Sequence, residues 1–352
     1  MTDASNLASK SCPIPSAPGD RLLLAHGEGA RVMRRLIQQE ILPTLDNPHL
    51  RRQADAATFP SPGNHLAFST DGYVVKPLFF PGGDIGLLAV HGTINDLAVM
   101  GAEPLYLSLG IIAEEGLPLE VLRQVLRSVA RAARESGVQV VTGDTKVVPR
   151  GAADGLFLHT TGIGRMRADV HLGADLIQVG DAVLVSGNVG DHGMTILATR
   201  EQMDAGDALH SDTAPLHTLV EALLRSGAHV RFLRDATRGG VSAVLHELAE
   251  AAGVSVHLEE TAIPLSPAVR GMSELLGIDP LYMANEGKLI AVVDAAGAHL
   301  AVQSLRSHPL GRSAMQIGTI HRGHPGEVHL RGLLGGLRVL DEPAGALLPR
   351  IC

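Results

Sequence analysis

A chain of 352 residues in which 45% of the side chains are apolar is long enough to bury two cores, so two domains are expected rather than one. A net charge of −8, with aromatics at 3% and no tryptophan, argues against nucleic acid as a partner: there is neither a bulk cationic surface nor a set of stacking platforms. No run approaches the roughly 18 apolar residues of a membrane span, and residues 1–20 lack the charged start and apolar core of a secretory signal. The two cysteines, Cys12 and Cys352, stand near opposite ends, a poor disulfide framework that fits a reducing cytoplasm.

In chain order, residues 1–25 read as a flexible extension. Glu28 to Leu42 places Val32, Leu36, Ile37 and Ile41 at helical spacing. His65 to Ser69 alternates as a strand, and Tyr73 to Phe80 is a second strand candidate. Ile85 to Met100 is helical with Gly101 as its stop, and Leu105 to Ile112 is strand-like. Pro118 to Ser136 is the clearest helix, with Leu122, Val125, Leu126 and Val129 on one face. Val138 to Val141 reads as a buried strand ending in Thr142-Gly143-Asp144-Thr145, and Gly155 to Gly162 adds another. A second unit begins near Asp169. It has strands at Ala182 to Ser186, Val230 to Leu233, Val254 to Leu258, Leu289 to Val293 and Ala314 to Ile320. Between them lie a glycine loop at Gly187 to Gly193, a helix at Leu216 to Arg225, and a helix running from Gly240 to Ala252. The pattern is α/β or α+β: domains at 26–167 and 168–332, then a proline-containing tail, 333–352, expected to be extended and mobile.

Four aspartates sit beside glycine or at the end of a predicted strand or within a helix: Asp71, Asp96, Asp144 and Asp235. Taken alone, each is best read as a turn or capping residue. Together they form a candidate Mg²⁺ set, because Mg²⁺ prefers hard oxygen ligands shared with a nucleotide phosphate. Walker and dinucleotide-binding glycine motifs are absent. Phosphate contacts are therefore sought at His26 to Gly29, Gly187 to Gly193 and Thr237-Arg238-Gly239-Gly240. Lysine is rare: Lys10, Lys76, Lys146 and Lys288 are the only ones, and the last three lie in glycine- and acid-containing segments. Cys352 ends the tail, and ten extended residues would carry its thiol through ~33 Å, as a swinging carrier arm would. Nothing nearby in the tail lowers its pKa, which suits a thiol loaded by another protein.

The runs Ser69-Thr70-Asp71-Gly72-Tyr73, Pro81-Gly82-Gly83-Asp84-Ile85-Gly86 and His91-Gly92-Thr93-Ile94-Asn95-Asp96 resemble the HypE family, the carbamoyl dehydratases of nickel–iron hydrogenase maturation. So do Gly143-Asp144-Thr145-Lys146, Gly190-Asp191-His192-Gly193, Asn285-Glu286-Gly287-Lys288 and the terminal Pro349-Arg350-Ile351-Cys352. Departures are Ala30, where the family's N-terminal loop has glycine, and Ala236, where it often has proline. The resemblance implies two domains of the aminoimidazole-ribonucleotide-synthetase type in a homodimer. It implies ATP with Mg²⁺ held around Asp71, Asn95, Asp96, Asp144, Thr145, Asp235, Thr237, Gly239 and Gly240. Lys146 and Glu286 would act on a carboxamide carried by Cys352, with Glu286 as the base. The carbamoyltransferase HypF and the HypC–HypD iron scaffold are the implied partners. Alternatives are a selenophosphate or purine-pathway synthetase of the same superfamily, or a non-catalytic nucleotide-binding scaffold.

Overall fold

The computed structural model describes residues 30–36, 38–39, 52–53, 57–60, 65–203 and 208–342. Cys12, the loop at His26 to Gly29, residues 343–350 and the terminal Ile351-Cys352 lie outside the described residues.

The first domain is a five-stranded sheet in the order β1 (Ala57–Pro60), β2 (His65–Tyr73), β7 (Leu156–Met166), β5 (Ala102–Glu114), β6 (Gln139–Val148). Only the β5–β6 pair is parallel, and the helix between those strands, Leu119–Glu135, supplies the crossover. That helix buries Val125, Val129, Ala132 and Ala133 and turns an arginine- and glutamate-rich face to solvent. A second helix, Ile85–Val99, is apolar almost all round and is correspondingly buried almost all round. Asp84 caps its start, accepting from the backbone N–H groups of Gly86 (2.8 Å) and Leu87 (3.1 Å), and is itself held by the Ser128 hydroxyl at 2.5 Å. One end of the helix packs into the first core with Leu107, Leu109 and Leu158, while Ala98 and Val99 enter the second domain's core beside Leu216 and Leu289. The helix is thus the shared wall of the two domains.

The second domain is a seven-stranded sheet, largely antiparallel, ending at one side with β11 (Leu289–Val293) and β9 (Val230–Asp235). Leu289, Ala291 and Val293 join one core and Ile290 and Val292 the other, so an unbroken apolar run is explained by layers on both faces. Among the described residues no helix is long and apolar enough to cross a membrane.

Five expectations change. Pairing between β2 and β7 runs on to Tyr73–Leu158, so Asp71 and Gly72 lie inside a strand. Residues 74–78 then leave the sheet; Pro77, without an N–H, has no ladder bond to give. The strand at residue 138 does not stop at the Gly-Asp-Thr motif but carries it in its middle, through to Val148. It is also exposed rather than buried, with Val141 at 57% and Val147 at 68%, because it is the sheet's edge and the covering helices lie over its neighbours. Finally, Leu337–Leu340 pairs with Val328–Arg331, so the stretch read as the start of the tail contributes the last strand of the second sheet.

Candidate active site

The site is built where the wall helix, β2 and the second domain meet. In β2 the side chains of Ser69, Asp71 and Tyr73 share one face, because strand residues two apart point the same way. Ser69 donates to Asp96 Oδ2 at 2.6 Å, tying the strand to the helix. Tyr73 is buried, and its hydroxyl lies 3.2 Å from Thr93 Oγ1, which lies 2.6 Å from Thr160 Oγ1. Gly92 makes this possible: a Cβ there would sit 2.4 Å from the tyrosine oxygen. Burial pushes the Tyr73 phenol well above its ordinary range, and the charges of Asp71, Asp96 and Glu286 push it further. The neutral Tyr73 hydroxyl thus feels the charge of three carboxylates, two from the first domain and one from the second.

The second domain's contribution is held with care. Asn285, fully buried, donates to the carbonyls of Ala236 (3.0 Å) and Met283 (3.2 Å) and accepts from Gly190 N–H at 2.8 Å. Glu286, 5% exposed, follows it. The Glu286 N–H donates to Asp212 Oδ1 at 3.0 Å, and its carbonyl accepts from Ala214 N–H at 3.3 Å and from Asn95 Nδ2 at 3.4 Å. Asn95 also donates to the Ala214 carbonyl (3.1 Å) and accepts from Leu216 N–H (2.7 Å). Its amide is therefore spent on stapling the domains together, a different use from the nucleotide contact expected of it.

Other predicted residues fall elsewhere. Asp235 ends β9 and is buried, in the strand against which the wall helix packs. Gly239 and Gly240 have positive φ and begin the next helix, and a Cβ on Gly240 would sit 2.5 Å from the Leu281 carbonyl oxygen, so close packing alone demands glycine. Thr237 accepts from Gly240 N–H through its carbonyl, at 2.9 Å. Asp144, Thr145 and Lys146 lie on the edge strand. The row of paired residues Asp71–Thr160–Leu109–Gly143 crosses the sheet, which separates Asp144 from Asp71 by about 14 Å, three strand spacings. Asp144 is also one residue out of step with that row, so it faces the opposite side of the sheet. Lys146, two residues on, shares that side and lies 3.1 Å from Asp144 Oδ2; this contact and the Thr145 N–H hold the Asp144 carboxyl below its usual range. In one copy of the chain Asp71, Asp96 and Glu286 all act on Tyr73, whereas Asp144 and Lys146 lie on the edge strand, and among the described residues no group of three or more His, Cys, Asp or Glu side chains is placed to hold a metal.

Sequence reasoning missed Asp212. Its side chain is 4% exposed and pairs with Lys288 Nζ at 3.1 Å. The run Ser211-Asp212-Thr213-Ala214-Pro215 carries only loop signals; its partners are 74 or more residues away in sequence.

Two matched domains give the class. The AIR synthase related protein N-terminal domain matches residues 53–166, and its C-terminal domain matches residues 178–331. This is a two-domain protein of the AIR synthase related type. Within that class, the chain belongs to the HypE family of carbamoyl dehydratases. It is 50% identical to carbamoyl dehydratase HypE of Escherichia coli (strain K12) over 340 residues, covering 95% of this chain and 100% of the relative. Among solved structures, that of a HypE–HypF complex is 41% identical, with a TM-score of 0.83 over 88% of this chain and 99% of the other. A HypE in complex with ATP is 47% identical, with a TM-score of 0.79 over 94% and 100%.

Proposed function

We propose that this chain is an ATP-dependent carbamoyl dehydratase that turns an S-carboxamide on its own Cys352 into a thiocyanate, the source of the cyanide ligands of a nickel–iron hydrogenase. The observation that carries this reading is a buried glutamate, Glu286, whose backbone is held by Asp212, Ala214 and Asn95, in a chain half identical to a carbamoyl dehydratase. A carboxamide does not readily expel its oxygen as hydroxide. ATP removes the obstacle: the amide oxygen bonds to the γ-phosphorus as the bond to ADP breaks. Phosphate then departs with the C–O electron pair while the nitrogen loses both protons, leaving S–C≡N, ADP and phosphate. Glu286 is the base for that nitrogen. Asp71 and Asp96 offer hard carboxylate oxygens of the kind Mg²⁺ prefers, and the ion would supply charge neutralisation to the transferring phosphoryl group when bound; Asp144 and Asp235 are the further members of the set.

A second copy of the chain is part of this reading. The edge strand exposes Val140, Val141 and Val147, and Tyr106 and Ile112 on the neighbouring strand are exposed as well. An uncovered apolar edge supports pairing with an identical strand. Pairing would also bring Asp144 and Lys146 to a site that a single copy leaves without them. HypF, seen in complex with a relative, is the proposed carbamoyl donor; the HypC–HypD complex is the proposed acceptor, and the cytoplasm the compartment.

Incubation with the carbamoyl-transferring partner, carbamoyl phosphate and ATP is expected to add one carbamoyl group to the intact mass and then remove one water. Chelating Mg²⁺ should stop the second change. The Cys352→Ala variant should show neither, and mapping the adduct to Cys12 would sink the reading. For the dimer, Val141→Asp with Val147→Asp should yield a folded monomer by sedimentation where the wild type is a dimer. An unpaired carboxylate at such a contact costs on the order of 3 kcal/mol, more than about a hundredfold in dissociation constant. A variant as dimeric as the wild type would place the interface elsewhere.

A further inference from the structure

We infer that Asp212 is a positioning residue for the dehydration: it fixes the backbone of Glu286 and, with Lys288, sets the charge that Glu286 feels. The inference rests on Glu286 being the base of the reaction proposed above. Three contacts converge. Asp212 Oδ1 accepts from the Glu286 N–H at 3.0 Å, and Asp212 Oδ2 accepts from Lys288 Nζ at 3.1 Å. The carbonyl of Asp212 approaches so closely that a Cβ on Gly287 would lie 1.9 Å from it. The run Glu286-Gly287-Lys288 is therefore wrapped around one aspartate, with the glycine in the middle as the condition for the wrap. On its other side the Glu286 peptide is held by Ala214 and Asn95. A base has to be held within a fraction of an ångström of the proton it takes, and a peptide gripped at both N–H and C=O gives that hold.

The ion pair adds an electrostatic role. Asp212 and Lys288 have side chains 4% and 12% exposed, so water screens them poorly. A close pair of opposite charges presents a weaker field to its neighbours than either charge alone. Glu286 shares its influence on Tyr73 with Asp71 and Asp96 of the first domain, and Asp212 acts on Asp191 and His192 at the start of the helix Asp191–Arg200. Asp191 feels both Asp212 and Lys288, and burial raises its pKa, so the pair governs more than one titrating neighbour.

The test is the pH profile of dehydration, followed by loss of water from the carbamoylated chain. Asp212→Asn keeps an oxygen for the Glu286 N–H but leaves Lys288 as an uncompensated cation. That cation favours ionised Glu286, so the acidic limb should move down by about one pH unit. Lys288→Met leaves Asp212 alone and should move the limb up. The double variant Asp212→Asn/Lys288→Met restores neutrality and should return the limb to its wild-type place; it also avoids an unpaired buried charge, so it serves where a single variant folds poorly. Asp212→Ala, which removes the bond to the Glu286 N–H, should lower the dehydration rate about tenfold or more with ATP binding retained. A pair that only staples the fold would lower the amount of active protein and leave the limb unmoved, and that result overturns the inference. A Glu286→Gln control separates the two claims: wild-type dehydration in that variant removes the base itself, whereas an inactive Glu286→Gln beside unmoved limbs removes only the role of Asp212.

Discussion

Glu286→Gln is expected to bind ATP and to accept a carbamoyl group on Cys352, yet to dehydrate the adduct about 10²–10⁴-fold more slowly than wild type. Glutamine keeps the size of glutamate but takes no proton at working pH. The variant should fold normally, because the contacts that Asp212, Ala214 and Asn95 make at this position are to the backbone and survive the change. The expected signature in the intact mass is therefore an accumulated carbamoyl adduct rather than an unmodified chain. Lys146→Arg is the companion measurement. Arginine keeps the positive charge but does not give up a proton, so activity in that variant assigns Lys146 an electrostatic role. Conversion of the Glu286→Gln adduct at the wild-type rate would remove Glu286 from the chemistry.

The second large effect is on stability against acid. His91 and His192 are buried, with Nδ1 placed 3.2 Å from Thr213 Oγ1 and 2.8 Å from Ser211 Oγ respectively. Burial lowers both to about 4 from an ordinary 6.5. Both are therefore neutral in the native state. Between pH 6.5 and 4 the unfolded chain takes up protons that the native chain refuses, so their contribution is fully present above 6.5 and declines as the pH falls toward 4. By pH 5 the loss is about 2 kcal/mol for each, or ~4 kcal/mol for the two. The urea midpoint should fall accordingly between pH 7 and pH 5. The double variant His91→Gln/His192→Gln should start from a lower midpoint but show a flatter pH dependence. An unchanged slope would mean that other groups govern acid unfolding. Because both histidines contact the segment 211–213 that also holds Glu286, activity should be lost before the fold is.

Much of this protein was determined by local pattern. The strand Val230–Asp235 and the helix Gly240–Ala252 follow from a β-branched and aromatic run, a glycine pair and a helical apolar period, all of which act over a few residues. The wall helix follows from an apolar stretch that no single amphipathic face accounts for, and the family motifs are legible as they stand. The tertiary structure alone decided which acids meet. Asp71 and Asp144 look equivalent in sequence, each beside a glycine at the end of a predicted strand, but three strand spacings and opposite faces of one sheet separate them. Asn95 and Asp96 are neighbours, yet the helix turns one into a staple between domains and the other toward Ser69 of the first sheet. Asp212 carried no signal, because its meaning lies in Glu286 and Lys288, more than 70 residues away. Periodicity and turn chemistry are short-range and can be read along a chain. Strand order, sheet face and domain apposition are fixed by long-range packing, and these determine which groups share a site.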